Sequence, residues 1–192
     1  MKNIAIFASG EGTNAECLMR RFRGVKGDIA RVALVVTNNA SAGVVERARR
    51  LGVTVAVVPR SDWREGNTVV SLLMRHGVDV VVLAGFLLFL PESIVEAFEG
   101  RIVNIHPSLI PLHSGRGMYG IHVHEDVLRS GDKETGITIH LVDGHYDHGR
   151  QLFQARCPVL PDDTPELLAE RVHALEHEHY PRVVEEWIEQ MS

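Results

Sequence analysis

Two polar side chains near the middle of the chain, Asn104 and His106, end an otherwise apolar segment, IVNIHP. Residues two apart in a β-strand project from the same face, so both side chains would face one site. Asn104 can donate a hydrogen bond to a developing oxyanion, and His106 can donate to it or move a proton. The pattern also suits a hydrogen-bonded core pair followed by a turn, and Pro107 ends the strand in either case.

A loop rich in aspartate, histidine and glycine, DGHYDHG, occupies residues 143–149. Presented to a site, a carboxylate of this loop could orient a histidine or accept a proton. Asp143 and Asp147 are both candidates on this ground, and the spacing does not choose between them. An exposed, solvated loop without a chemical role has the same composition.

A glycine-rich turn, SGEGTN at residues 9–14, separates the first apolar run from the first helical segment. Glycines let a backbone approach a ligand, and amides at a helix start point towards an anion. Ala15 replaces the last glycine of the dinucleotide fingerprint, and no Gly-Lys-Ser/Thr of a Walker loop follows. The turn therefore favours a single phosphate, unless it is a plain strand-to-helix turn. Glu11 opposes phosphate binding unless its side chain points away.

Two pairs among the 11 histidines have spacings that metal sites use. His122 and His124 are similar to the start of a metallo-hydrolase ligand run, but Val127 stands where a further histidine should follow. His173 and His177 are four apart on the last helical segment, without the glutamate that normally accompanies this spacing. We therefore predict helix-surface histidines and no metal.

The first half of the chain alternates strand and helix patterns. Continuous apolar runs predict strands at residues 4–8, 32–36, 53–58 and 78–83, and helical segments lie at 14–22, 42–51 and 67–75. Continuous runs, rather than alternating ones, indicate strands buried on both faces. We predict an α/β fold with a Rossmann-like doubly wound, mostly parallel sheet and helices on both faces. The turn at 9–14 would then lie at the carboxyl edge of the sheet, where ligands bind.

The second half has longer irregular stretches between its elements. Strands are predicted at residues 102–105, 137–142 and 152–156, with a helix at 119–129. A final helix begins near Thr164, which can cap it, with Pro165 at the first helical position. Pro181 should kink this helix or restart it. No linker or repeat divides the 192 residues, so we predict one domain.

Composition excludes several classes of function. The net charge is −5, and no cluster of Lys and Arg with interleaved aromatics occurs, so we expect no nucleic-acid partner. The apolar start is too short for a signal peptide. The longest apolar run is interrupted by Gly85, so we expect no membrane span. Cys17 and Cys157 form no ligand spacing and fit buried thiols in a reducing compartment. We therefore expect a cytoplasmic protein.

Taken together, the motifs resemble those of the phosphoribosylglycinamide formyltransferases, within the folate-dependent formyltransferase superfamily. The segments that carry the resemblance span the chain: SGEGTN (9–14), VVLAGF (81–86), NIHPSLIP (104–111), GITIHLVD (136–143), YDHG (146–149) and EHEHYP (176–181). The resemblance implies an enzyme of purine synthesis. Its co-substrate would be 10-formyltetrahydrofolate, whose formyl group passes to the amine of 5'-phosphoribosylglycinamide (GAR).

The resemblance also implies roles for the matching positions. The catalytic trio would be Asn104, His106 and Asp147, with Asp147 keeping a protonated His106 charged while it stabilises the oxyanion. The binding and supporting residues would be Gly12, Thr13 and Asn14 for the substrate phosphate, Glu176 for the ribose or glycinamide part, Arg64, Leu87, Leu88, Phe89, Leu90 and Asn104 for folate, and His140 near the catalytic aspartate. Residues 1–100 would form a phosphate-binding βαβ half, and residues 101–192 a catalytic and folate-binding half of one formyltransferase domain.

Three departures from the family pattern concern loops: a long segment at 113–120 (HSGRGMYG), LLFL at 87–90 where an arginine is usual, and His148 in place of a glycine. The alternatives are another folate-dependent formyltransferase, a formyltetrahydrofolate hydrolase, or a non-catalytic nucleotide-binding module of the same fold. The tRNA-formylating enzyme and the hydrolase carry an additional domain, for which we expect no room here. We expect small-molecule substrates and a monomer or homodimer.

Overall fold

Seven strands form one sheet in the computed structural model, which describes residues 1–23, 28–145 and 147–191. The order across the sheet is β3-β2-β1-β4-β5-β6-β7. The strands are β1 (Lys2–Phe7), β2 (Ala30–Thr37), β3 (Thr54–Val57), β4 (Val80–Leu83), β5 (Ile102–His106), β6 (Glu134–Leu141) and β7 (Gln151–Pro158). Tyr146, part of the YDHG motif, lies outside the described residues.

The helices pack on both sides of this sheet. They are α1 (Thr13–Arg21), α2 (Gly43–Arg50), α3 (Asn67–Arg75), α4 (Glu92–Ala97), α5 (Ile121–Ser130) and α6 (Pro165–Gln190), with a short 3-10 helix at Arg60–Trp63. The sequence pattern did not predict α4 or the 3-10 helix, which are only one or two turns long. Among the described residues, no helix is both long enough and apolar enough to traverse a bilayer.

Strands β1 to β5 pair in parallel, and β6 and β7 add antiparallel pairs at one side. The chain proceeds from β1 outward to β3 and then returns to place β4 on the other side of β1. The segments after β1 and β4 therefore diverge at the carboxyl edge, which is where open α/β sheets bind ligands. The predicted mostly parallel, doubly wound sheet is confirmed.

Strand β1 shows why its apolar run is continuous. Ile4 and Ile6 belong to the core between the sheet and one layer of helices, whereas Ala5 and Phe7 belong to the core on the opposite face. All four side chains are fully buried. Because successive side chains alternate between the faces, a strand covered on both sides must be apolar at every position.

The last helix is continuous, so of the two alternatives predicted at Pro181, a kink or a restart, the restart is wrong. Thr164 caps α6 by accepting a hydrogen bond from the Leu167 amide, as predicted, and the helix runs through Pro181. Tyr180 is fully buried and its hydroxyl donates to the Leu83 carbonyl at 2.7 Å. Val184, one turn later, is also fully buried. Burial on both sides of the proline offsets the backbone hydrogen bond that the proline removes.

Candidate active site

A cavity of about 970 Å³ opens at the carboxyl edge of the central strands. It receives residues from the turn after β1, the segments after β4 and β5, helices α5 and α6, and the loop before β7. The predicted residues that line it are Gly12, Thr13, Asn14, Leu87, Leu88, Phe89, Leu90, Asn104, His106, His140, Asp147 and Glu176. The fold thus brings all but one of the predicted site residues to a single cavity.

Gly12 places the turn after β1 against the start of α2. Its φ of +75° lies in the left-handed region, and an added Cβ would stand 2.5 Å from the Cβ of Val44. No residue larger than glycine fits without displacement. Thr13 and Asn14 begin α1 directly after it, so the helix start opens into the cavity. This geometry suits an anion bound by backbone amides.

Glu11 lines the cavity too, and its carboxylate lies beside the start of α2. The Oε2 atom of Glu11 lies 2.6 Å from the position that a Cβ on Gly43 would take, so the side chain packs along the first residue of α2. The favourable end of that helix dipole faces the carboxylate. The condition set by the sequence, that Glu11 must point away while the backbone binds, is therefore compatible with the structure.

Ser9 joins the turn after β1 to the segment after β4. Its hydroxyl donates to Asn38 Oδ1 at 2.7 Å and accepts a hydrogen bond from the Leu87 amide at 3.0 Å. Leu87 and Phe89 are about half exposed on the cavity rim, and Leu90 is buried beneath them. The arrangement fixes one apolar wall of the cavity relative to the anion-binding turn.

Asn104 lies opposite His140 across the antiparallel β5–β6 pair. Its Nδ2 is 3.2 Å from His140 Nε2, while His140 Nδ1 is 2.9 Å from the Leu141 carbonyl. Since the carbonyl can only accept, His140 carries its hydrogen on Nδ1 and accepts from Asn104 on Nε2. His140 therefore orients the amide of Asn104, a supporting role that agrees with its predicted position.

His106 is the last residue of β5, and its two ring nitrogens have different partners. Nε2 donates to the His113 carbonyl at 2.8 Å, and Nδ1 faces Asp147 Oδ1 at 3.6 Å. Burial lowers the pKa of His106 below its ordinary value, although Asp147 opposes this shift. A lowered pKa favours the neutral form of the imidazole. Asp147 acts on the imidazole in the expected direction, and the expectation that it keeps His106 charged stays a prediction.

Asp147 lies at the point where both histidines meet. Its Oδ1 is 3.6 Å from a ring nitrogen of His106 and of His140, and its Oδ2 accepts a hydrogen bond from the Gly115 amide at 2.9 Å. Burial opposes ionisation, but the hydrogen bonds and charges around the carboxylate, including the Gly115 amide, outweigh burial and lower the pKa of Asp147. The other candidate, Asp143, is exposed and instead pairs with His148.

Glu176 lines the end of the cavity that lies beside the start of α1. It is 5% exposed, and its Oε2 accepts a hydrogen bond from Asn14 Nδ2 at 2.7 Å. Burial raises the pKa of its carboxyl, although the bond from Asn14 opposes the shift. Tyr180, one turn further along α6, anchors the helix to the sheet and so fixes the position of Glu176.

Arg64 is the predicted site residue that the cavity does not include. It is exposed just after the 3-10 helix and is not among the described residues that line the cavity. Arg60, the first residue of that short helix, lines the cavity instead. Because the sequence pattern did not predict the 3-10 helix, it could not place Arg60, which begins that helix, or Arg64, which follows it.

His124 and Arg116 also line the cavity, and neither was predicted from the sequence. His124 is 2% exposed, so the prediction of a helix-surface histidine is wrong at this position, whereas His173 and His177 are exposed as expected. Burial, together with nearby His173 and His106, lowers the pKa of His124 to about 4. Its place beside the apolar stripe of α5 was the available signal.

One group of three potential metal ligands occurs in the described part of the chain. Asp143, His145 and His148 have ligand atoms within 4.8 Å of one another, and all three are exposed. They lie on the outer part of the loop that carries Asp147. The histidine pairs considered from the sequence, at 122 and 124 and at 173 and 177, belong to no such group among the described residues.

The fold and this site define a class of protein. A family model for formyl transferases matches residues 2–184, and the chain belongs to that family. It is 44% identical to the chloroplastic phosphoribosylglycinamide formyltransferase of Arabidopsis thaliana, over 95% of this chain and 64% of that protein. It is 34% identical to phosphoribosylglycinamide formyltransferase of Bacillus subtilis, over 97% of this chain and 94% of that protein.

The structural comparison agrees with these relatives. The crystal structure of glycinamide ribonucleotide transformylase 1 from Symbiobacterium toebii superposes with a TM-score of 0.90 and 35% identity. The alignment covers 99% of this chain and 89% of that one. The chain spans less than two thirds of the length of the Arabidopsis thaliana relative.

Proposed function

We propose that this protein transfers the formyl group of 10-formyltetrahydrofolate to the amine of GAR, giving formyl-GAR and tetrahydrofolate in purine synthesis. One observation carries the proposal. A single cavity holds the amide–imidazole–carboxylate trio of Asn104, His106 and Asp147 together with a helix start built for an anion. The names of the relatives support the same activity.

The two substrates would bind to different walls of the cavity. The phosphate of GAR binds the backbone amides at Gly12, Thr13 and Asn14, and its ribose or glycinamide part reaches Glu176. The folate ring packs along residues 87–90, whose backbone and apolar side chains line the opposite wall. The formyl carbon and the amine then meet beside Asn104 and His106, which lie between the walls.

Formyl transfer needs one new bond and one broken bond. The amine nitrogen attacks the formyl carbon, a tetrahedral oxyanion forms, and the bond to folate N10 breaks as that nitrogen takes a proton. The second amide hydrogen of Asn104 serves the oxyanion, since the first is donated to His140. A preorganised donor of this kind contributes about a hundredfold or more in rate.

The proton that the amine loses has a prepared acceptor. Neutral His106 presents an unprotonated Nδ1 to the ionised Asp147 at 3.6 Å, so two basic atoms face one another. Asp147 takes the amine proton directly or through water, and the proton placed between the pair makes His106 cationic. The imidazolium charge arises when the oxyanion develops, which is when it stabilises the reacting centre most.

Expectations about the co-substrate, metal and partners follow from the proposed reaction. Folate acts as a co-substrate, and the chemistry uses no metal, because the amide and the imidazole supply the oxyanion stabilisation that a Lewis acid would otherwise provide. We also propose a cytoplasmic monomer or homodimer without a nucleic-acid partner. Residues 1–100 form its phosphate-binding half and residues 101–192 its catalytic half within one domain.

The test is a substrate-dependence assay with the purified chain. Tetrahydrofolate should form from 10-formyltetrahydrofolate only when GAR is added, with formyl-GAR detected by mass spectrometry in equal amount. The rate should be unchanged by a metal chelator. Formate release without GAR would identify a hydrolase, and no turnover with binding of a nucleotide would identify a binding module.

A further inference from the structure

His113 stands at the start of the long segment that departs from the family pattern, and both of its ring nitrogens are bonded to carboxylates. Nδ1 lies 2.6 Å from Asp126 Oδ2, and Nε2 lies 2.7 Å from Asp132 Oδ2. Ionised carboxylates only accept hydrogen bonds, so both nitrogens of His113 carry hydrogen and the ring is an imidazolium. Its side chain is 9% exposed.

The backbone around His113 touches both members of the proton-handling pair. The carbonyl of His113 accepts the hydrogen of His106 Nε2, and the amide of Gly115 donates to Asp147 Oδ2. The first contact decides which ring nitrogen of His106 is unprotonated, and the second fixes the carboxylate that faces it. Three consecutive residues thus connect a charged anchor to the reacting groups.

We propose that the His113 imidazolium is a positioning residue, clamped between Asp126 and Asp132, which holds residues 113–115 so that His106 and Asp147 keep the geometry needed for catalysis. The inference rests on the proposed formyl transfer for its kinetic consequences. It assigns to His113 no contact with either substrate.

The clamp depends on one proton, and its surroundings determine when that proton is lost. Burial lowers the pKa of His113, but hydrogen bonds and charges from Asp126 and Asp132 outweigh burial and raise it above the ordinary histidine value. Arg129 pairs with Asp126, and both His106 and Asp147 face this segment through its backbone. The clamp is therefore complete below the ordinary value and is lost as pH rises through the raised value.

His113→Asn is the direct variant, because His113 has a φ of +49° and asparagine tolerates that left-handed conformation. Asparagine cannot bridge two carboxylates with a positive charge. We expect kcat to fall by about 10- to 100-fold while both KM values stay unchanged, as for a small misplacement of reacting groups. The wild-type kcat should also decline above the raised pKa of His113, and this decline should be missing in the variant.

Nitrogen NMR of the histidine rings reports their protonation and tautomers. These would not change if His113 served only to fill space. In the wild type, His113 should be doubly protonated at neutral pH and His106 should be the Nε2–H tautomer. In His113→Asn, His106 should become a mixture of tautomers. His122→Asn is the matched control, since His122 is exposed on α5 outside the cavity and should leave kcat and the His106 signals unchanged.

Asp132→Asn keeps the proposal testable if His113→Asn does not fold. Asp132 is one third exposed, and its loss should lower the pKa of His113 and move the alkaline decline of kcat to lower pH. A neutral His113 at pH 7, or wild-type kcat and His106 tautomer in a folded His113→Asn, would overturn the clamp. If the wild type transfers no formyl group, the proposed function fails, and the NMR arm still decides the clamp.

Discussion

The two walls of the cavity are held in place by different physical means. The turn at residues 9–14 is fixed by backbone geometry, because Gly12 fits a left-handed position against Val44 and Ser9 ties the turn to the next segment. The wall that carries Gly115 and Asp147 is fixed by hydrogen bonds to ionisable side chains, with His113 bonded behind it to Asp126 and Asp132.

This difference separates two kinds of sensitivity. A wall fixed by sterics responds to an added methyl group and is indifferent to pH in the range where proteins fold. A wall fixed by ionised hydrogen bonds responds to pH and to isosteric changes of charge. We therefore expect substitutions in the turn at residues 9–14 to raise KM and lower stability. Substitutions in the wall that carries Asp147 should instead lower kcat.

Asp147→Asn should have the largest effect of all, and it should fall on catalysis. Asparagine tolerates the φ of +51° and can still accept from the Gly115 amide, but it cannot take a proton. We expect kcat to fall by about 10²–10³-fold, since general-base catalysis contributes this much. Thermal unfolding should change little.

Asp143→Asn is the matched control in the same loop. Asp143 is exposed and does not line the cavity among the described residues, so its amide variant should keep a near-normal kcat. A large loss in Asp143→Asn with normal turnover in Asp147→Asn would reverse the assignment of the two carboxylates.

Gly12→Ala tests the steric wall. The new Cβ would meet Val44 at 2.5 Å, which should lower the free energy of unfolding by roughly 1–3 kcal/mol, as overpacking does. The KM for GAR should rise more than kcat falls, because the helix start that binds phosphate would shift. Chemical denaturation measures the first effect, and Gly10→Ala is its control, since nothing lies within 4 Å of a Cβ there. Equal stabilities of the two variants would contradict the steric account.

The sequence predicted the steric side well because its signals are local. A continuous apolar run indicates a strand buried on both faces, as β1 is, and a glycine-rich turn indicates where the next helix begins, as at Thr13. The anion site at that turn stays a prediction. The same-face placement of Asn104 and His106 also follows from strand periodicity alone and is confirmed, because both side chains line the cavity.

The ionisable wall could not be predicted from local pattern, because its contacts join distant parts of the chain. His113 meets Asp132, 19 residues away, and Asp147 meets Gly115, 32 residues away. The charge state of His106 depends on burial as well as on Asp147, and no spacing in the sequence reveals burial. The resemblance to a family selected Asp147 over Asp143, and the geometry adds an independent reason.

Glu176→Gln should have a smaller effect. It tests the one kind of contact on the side of the 9–14 turn that does depend on an ionisable group. Glutamine keeps an acceptor for Asn14 but removes the charge, so the KM for GAR should rise by about 3- to 10-fold through a weaker hydrogen bond. Burial raises the folded pKa of Glu176, so the folded state binds the extra proton and wild-type stability falls as pH rises from the ordinary glutamate value to the raised one.

The stability of Glu176→Gln should lack this decline, and equilibrium unfolding at several pH values measures it. Glu178→Gln, at an exposed position on the same helix, is the control and should retain the wild-type pH profile. A wild-type stability that rises with pH through that interval, relative to Glu176→Gln, would contradict the raised pKa.

Arg60→Ala and Arg64→Ala form the pair with the smallest expected effects, and they decide which arginine serves the folate wall. Arg60 lines the cavity and Arg64 does not, so geometry favours Arg60 although the family resemblance indicated Arg64. Both side chains are exposed, and an exposed charge contact contributes about 0.2–1 kcal/mol, which corresponds to at most about a fivefold rise in the KM for 10-formyltetrahydrofolate. We expect that rise in Arg60→Ala alone, and it should shrink at high salt because water and ions screen an exposed charge. The opposite result would mean that the short 3-10 helix rearranges when folate binds and brings Arg64 to the cavity in place of Arg60.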